Sequence, residues 1–170
     1  MCNAQLGKKC RPKASSAMNL PLFAPESHAY NCLFSVALVF DARGGFYFTD
    51  FKGNATEPEG GVYYVAPDLI RVTTVLPHLA MANGLALSPD GKQLWVTEFG
   101  RNLLHRMELA DATTIAPIGS AIAYPFTGPA PDSLRADADG NAYVAIYGQG
   151  PCAGLQPQRH PHRLGAAARS

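Results

Sequence analysis

The sequence predicts an all-β protein assembled from repeated four-stranded units, the blades of a β-propeller. Three observations carry that expectation. The pentapeptide Phe46-Tyr47-Phe48-Thr49-Asp50 recurs as Leu94-Trp95-Val96-Thr97-Glu98 and again as Ala142-Tyr143-Val144-Ala145-Ile146, its fourth residue advancing by 48 each time (49, 97, 145). Each copy follows a turn built from the same parts: Asp41-Ala42-Arg43-Gly44-Gly45, Ser88-Pro89-Asp90-Gly91-Lys92 and Asp137-Ala138-Asp139-Gly140-Asn141. The runs between are short and rich in Val, Tyr, Phe and Thr, and no window sustains a helical period.

Taken in order, each repeat begins with an apolar run: Leu38-Val39-Phe40, Leu85-Ala86-Leu87 and the weaker Ser133-Leu134-Arg135-Ala136. The Asp/Gly turn comes next, because Gly supplies the positive φ angles that tight hairpins need. The pentapeptide then returns as the second strand. A second pair of strands follows in the first two copies, at Gly61–Val65 and Ile70–Val75, then at Leu103–Leu109 and Thr114–Ile118. Four short strands in 40 to 50 residues is the pattern of a propeller blade. A β-sandwich gives no reason for a fixed step.

The repeats occupy residues 38–150. Residues 1–37 are patchy, with a basic start and the proline-marked Pro21-Leu22-Phe23-Ala24-Pro25, and residues 151–170 turn to Pro, Gln, Arg, His and Ala. Both flanks are expected to be irregular, the tail disordered. All four cysteines, at 2, 10, 32 and 152, fall outside the repeating block; without CxxC pairs or zinc-like spacing they read as free thiols.

With 47% hydrophobic and 16% charged residues the composition is that of a folded domain, and a net charge of +1 gives no footing for nucleic acid or an anionic membrane surface. No apolar run approaches the ~20 residues that span a bilayer, and the N-terminus lacks the apolar stretch of a signal peptide. A cytoplasmic protein is the expectation.

The segments Val39–Phe51, Gly60–Val65, Ala82–Ser88, Leu94–Glu98, Tyr124–Gly128, Pro131-Asp132-Ser133 and Tyr143–Gly150 resemble the senescence-marker and gluconolactonase family of six-bladed propellers. The resemblance covers about Leu38 to Gly150 and implies two to three blades of such a ring. It also implies calcium-dependent hydrolysis of lactones in the intact family, with a small-molecule lactone as substrate. In that family a calcium ion sits at the mouth of the central channel, held by one acidic or amide side chain from each of several blades. Carried over by resemblance, Asn83 is a calcium ligand, Asp132 both a ligand and the catalytic acid/base, and Ser133 a further oxygen ligand. These types fit a hard cation that takes six to eight oxygens, calcium or another divalent ion. By themselves, Asn83-Gly84 reads as a turn and Asp132-Ser133 as a loop cap.

The sequence departs from the family in three places. The family's site also takes a glutamate from the first blade, which nothing in residues 1–32 resembles. It takes an aspartate just before the first apolar run, a place that falls here at Val36 or Ala37. Beyond Gly150 the family continues with an apolar strand, where this chain has Pro151-Cys152-Ala153-Gly154. The shortened chain is therefore expected to be inactive. Two other readings stand beside hydrolysis of lactones: a non-catalytic propeller segment that binds or assembles, and phosphoester hydrolysis by a related calcium propeller. Asp50 and Glu98, at the ends of matching strands, are expected to serve structural hydrogen bonds rather than chemistry; His78 and His105 have no partner discernible from sequence.

Overall fold

The structure, a computed structural model, describes residues 35–149 and 152–155. It is all-β, with no α-helix among the described residues and a single turn of 3-10 helix at Phe99–Arg101. Among the described residues eleven strands form three antiparallel meanders. The first sheet holds β1 (Ser35–Phe40), β2 (Phe46–Asp50), β3 (Gly60–Val65) and β4 (Val72–Leu79). The second holds β5 (Ala82–Leu87), β6 (Gln93–Glu98), β7 (Leu103–Leu109) and β8 (Ile115–Pro125). The third holds β9 (Pro131–Ala136), β10 (Ala142–Ile146) and β11 (Cys152–Leu155). Strand order within each sheet follows the chain, and the first strands β1, β5 and β9 stand side by side. These are two complete blades and three strands of another.

Strand β11 lies where the sequence reading put an irregular tail. It pairs antiparallel with β10, from Ala142 opposite Leu155 to Ala145 opposite Cys152. An exposed strand edge accepts almost any extended partner through its backbone alone, so Pro, Gln and Gly nearby did not prevent pairing. Residues 35–37 likewise belong to β1, ahead of the boundary drawn at 38. The remaining flanks, 1–34 and 156–170, lie outside the described residues. No described helix is long and apolar enough to cross a membrane.

The turns form as their residues dictate. Gly44, Gly91 and Gly140 have φ of +89°, +69° and +79°. The Asp41 carboxylate accepts the Arg43 and Gly45 amides at 2.8 and 3.0 Å and the Tyr64 hydroxyl at 2.7 Å. Asp137 repeats the device with the Asp139 and Asn141 amides at 3.0 and 2.8 Å. In the middle copy Ser88 and Asp90 share the task, the hydroxyl donating to the carboxylate at 2.6 Å and accepting from the Gln93 amide at 2.8 Å.

Two apolar layers join the blades. Tyr47, Val62 and Tyr64 of the first sheet pack against Leu85, Leu94, Val96 and Met107 of the second. Ala86, Trp95 and Leu104 of the second pack against Leu134, Ala142 and Val144 of the third. Burying each large apolar side chain contributes roughly 1.5–3 kcal/mol, so these layers supply most of what holds blade to blade. At the inner edge the approach is closer still. A Cβ on Gly84 would collide with the Asp132 carbonyl oxygen and the Leu134 backbone.

At the end of the sheets where β6 finishes, a buried carboxylate ties the connections together. Glu98 is 1% exposed and accepts the Ala80 amide at 2.8 Å and Arg101 Nη1 at 3.2 Å on Oε1, while His105 Nε2 lies 2.8 Å from Oε2. The sequence expectation of a structural role for Glu98 holds, and His105 has its partner. Burial alone pushes this carboxyl up, but the His105 and Ala80 hydrogen bonds and the charges of His105 and Arg101 bring it below the ordinary glutamate value.

Two outcomes follow from this packing. Gly84→Ala should destabilise the chain by about 1–3 kcal/mol or prevent folding, because the new methyl meets backbone that cannot turn aside; thermal or urea unfolding measures it. Glu98→Gln should cost about 1–3 kcal/mol at neutral pH. Since the folded carboxyl sits below its unfolded value of 4.5, its contribution is complete above that pH and lost as pH falls through the folded value. Melts of the two proteins should therefore converge on acidification.

Candidate active site

The three innermost strands share one irregularity. On β5 the pairing steps from Ala82 opposite Glu98 to Leu85 opposite Val96, three residues against two, which leaves a bulge at Asn83-Gly84. On β9 it steps from Pro131 opposite Ile146 to Leu134 opposite Val144, with the bulge at Asp132-Ser133. On β1 it steps from Ser35 opposite Asp50 to Leu38 opposite Phe48, with the bulge at Val36-Ala37. A bulge breaks the strict in–out alternation of a strand and re-aims its side chains. The leading bulge residues are thus Val36, Asn83 and Asp132. Sequence reading placed Asn83 and Asp132 just ahead of their strands; they lie inside them. Val36 and Ala37, the two places open to the aspartate that the family resemblance calls for, are the two residues of the β1 bulge.

The structure brings Asn83 and Asp132 together. Asn83 Nδ2 donates to Asp132 Oδ1 at 2.8 Å across 49 residues of sequence. Asn83 is 5% exposed, and its Oδ1 is buried with no hydrogen-bond partner among the described residues. The Asn83 amide nitrogen is the atom that meets Asp132, which leaves the amide oxygen outside that contact. A buried carbonyl left without a partner is destabilising by about 1–3 kcal/mol, and Asn83 Oδ1 shares that state with Trp95 Nε1 among the described residues. Asp132 is half-buried and Ser133 exposed, and Ser133 takes no part in the Asn83–Asp132 contact. Among the described residues no three or more His, Cys, Asp or Glu side chains converge as a metal cluster.

Two fully buried threonines lie directly behind the pair. Thr49 Oγ1 accepts the Ala37 amide at 3.2 Å and donates to the Asn83 carbonyl at 2.7 Å. Thr97 Oγ1 accepts the Gly84 amide at 2.6 Å and donates to the Asp132 carbonyl at 2.7 Å. Each hydroxyl therefore links the bulge of its own blade to the leading bulge residue of the next. In the sequence these threonines read only as strand residues. The signal was present in their recurrence at the fourth place of the pentapeptide, where the third copy has Ala145. Asp50, next to Thr49, has its carboxyl raised by burial, an effect that Lys52 opposes.

The molecule's likenesses agree with this architecture. The sequence profile of the SMP-30/gluconolactonase/LRE-like region matches residues 22–163. Lactonase drp35 of Staphylococcus haemolyticus is 58% identical over 115 residues, covering 66% of this chain and 35% of that protein. The Staphylococcus aureus lactonase drp35 (strain MW2) is 57% identical over 115 residues, with 66% and 36% covered. The chain therefore spans about a third of the length of these curated relatives. Among solved structures, a calcium-binding protein, regucalcin, from Agrobacterium tumefaciens superposes with a TM-score of 0.61 at 24% identity, covering 72% of this chain and 42% of that one. A gluconolactonase from Xanthomonas campestris gives 0.58 at 20%, covering 70% and 42%. Those two likenesses concern the fold. The profile match, spanning most of the chain and both bulge residues, identifies the protein as a member of the SMP-30/gluconolactonase/LRE-like family.

Proposed function

We propose that this protein derives from a calcium-dependent lactone hydrolase whose site is built on Asn83 and Asp132. The observation that carries the reading is the pairing of these two residues from successive blades, with the Asn83 amide oxygen left buried and unpartnered. The donor set fits the cation: an amide oxygen and a carboxylate are hard ligands of the kind calcium takes. Asn83 Oδ1 and Asp132 would hold it, with the Ser133 hydroxyl as a further oxygen. When bound, calcium supplies a positive charge that polarises the lactone carbonyl. In this reading Asp132 would take a proton from the attacking water as the water oxygen bonds to the carbonyl carbon. It then returns that proton to the ring oxygen as the acyl–oxygen bond breaks, giving the hydroxy acid. The Asn83 amide hydrogen bond orients the carboxylate for both transfers.

In this chain the ligand set is short. Val36 occupies the matching bulge of β1 and contributes no oxygen, so calcium affinity and lactone turnover by these 170 residues are expected to be low. The same valine favours the second reading, a non-catalytic propeller segment.

Two measurements test the proposal. Calorimetric titration with calcium should give a dissociation constant of about 10⁻³ M or weaker, lost in Asp132→Ala; tight binding contradicts the short ligand set. Lactone hydrolysis should be abolished by chelation in a full-length staphylococcal lactonase and slow or absent in this chain. Hydrolysis indifferent to the chelator in both proteins overturns the calcium reading.

A further inference from the structure

We infer that Thr49 and Thr97 are positioning residues, a relay of hydroxyls through which each blade sets the site residue of the next. The inference deepens the proposed function and rests on its choice of Asn83 and Asp132 as the site. The geometry repeats in both blades that show it. Amide Ala37 donates to Thr49, which donates to the Asn83 carbonyl; amide Gly84 donates to Thr97, which donates to the Asp132 carbonyl. Both threonines are 0% exposed, so water does not replace either bond.

The relay acts where the sheet itself gives least control. Ladder pairing skips the bulge: Ala82 and Leu85 are paired on β5, and Pro131 and Leu134 on β9, but the two residues between are not. The neighbouring blade's threonine supplies the missing constraint by fixing the carbonyl of the leading bulge residue. Asn83 and Asp132 are thus held from two different blades, and their side chains meet at 2.8 Å because both anchors are in place. A valine has the shape of threonine but neither bond, so the exchange separates anchoring from packing.

The test uses the full chain, labelled with nitrogen-15, in calcium-free buffer. The readout is the side-chain NH2 of Asn83: its signal position and its exchange rate with solvent. In the unaltered chain one of these protons should be shifted and protected by its bond to Asp132. In Thr97→Val exchange should quicken at least about fivefold and the shift collapse. Thr49→Val should do the same from the Asn83 side, and Thr97→Ser should restore the original signal. Val96→Ala, a buried change on the same strand, should lower overall stability yet leave the Asn83 signal in place. A folded Thr97→Val with an unchanged Asn83 signal overturns the inference, as does collapse in Val96→Ala. If Thr97→Val does not fold, the Thr97 hydroxyl proton of the unaltered chain decides: slow exchange with a close contact to the Gly84 amide supports the relay, and rapid exchange overturns it. Calcium titration of the same sample reports separately on the site itself, so failure of the metal reading and failure of the relay give different results.

Discussion

The structure depends on how close the first strands of successive blades come to one another. At Gly84 the backbone of β5 meets the Asp132 carbonyl of β9 with no room for a side chain. Everything at the inner edge follows from that approach. It brings Asn83 within 2.8 Å of Asp132, and it lets Thr97 reach a carbonyl on the next blade. The apolar layers farther out, around Leu85, Val96, Trp95 and Val144, carry most of the energy that joins the blades. They are close-packed but non-directional, so they fix contact more than orientation. The polar contacts at the edge are few and directional, and they convert a packed stack into a defined geometry.

Much of the fold was legible because its signals are local. A glycine with positive φ and an aspartate that caps its own turn need only a few neighbouring residues to act, so Asp41, Gly44, Asp137 and Gly140 could be assigned from sequence. The pentapeptide alternation likewise reports a strand with one buried face. What was not legible depends on partners distant in sequence. Strand β4 runs later than expected, through Leu79, and β8 extends to Pro125, because their limits are set by β3 and β7 opposite them. Strand β11 was missed for the same reason: its pairing comes from the open edge of β10, while its own residues carry little strand preference.

The candidate site was named by residue type, and its construction was not legible. Asn83 and Asp132 could be named from the family resemblance, and the structure brings them into contact. Ser133 is exposed beside them, outside that contact. The bulges could not be read, since an extra residue in a strand has no sequence mark apart from the pairing it disrupts. Nor could the function of Asn83-Gly84 as a pair. Asn-Gly reads as a turn, whereas here the glycine is required by the neighbouring backbone and the asparagine by the space beside it.

The equivalence of the three bulges has a consequence for how such a site changes over time. Val36, Asn83 and Asp132 occupy the same backbone station in consecutive blades. The station is formed by main-chain pairing, and on β5 and β9 also by a hydroxyl from next door, so little in its construction demands a particular side chain. A ring of such stations behaves as a set of interchangeable sockets. The residue at that station differs from blade to blade, valine, asparagine and aspartate in turn, on one and the same scaffold. The fold can then outlast any one reaction it hosts.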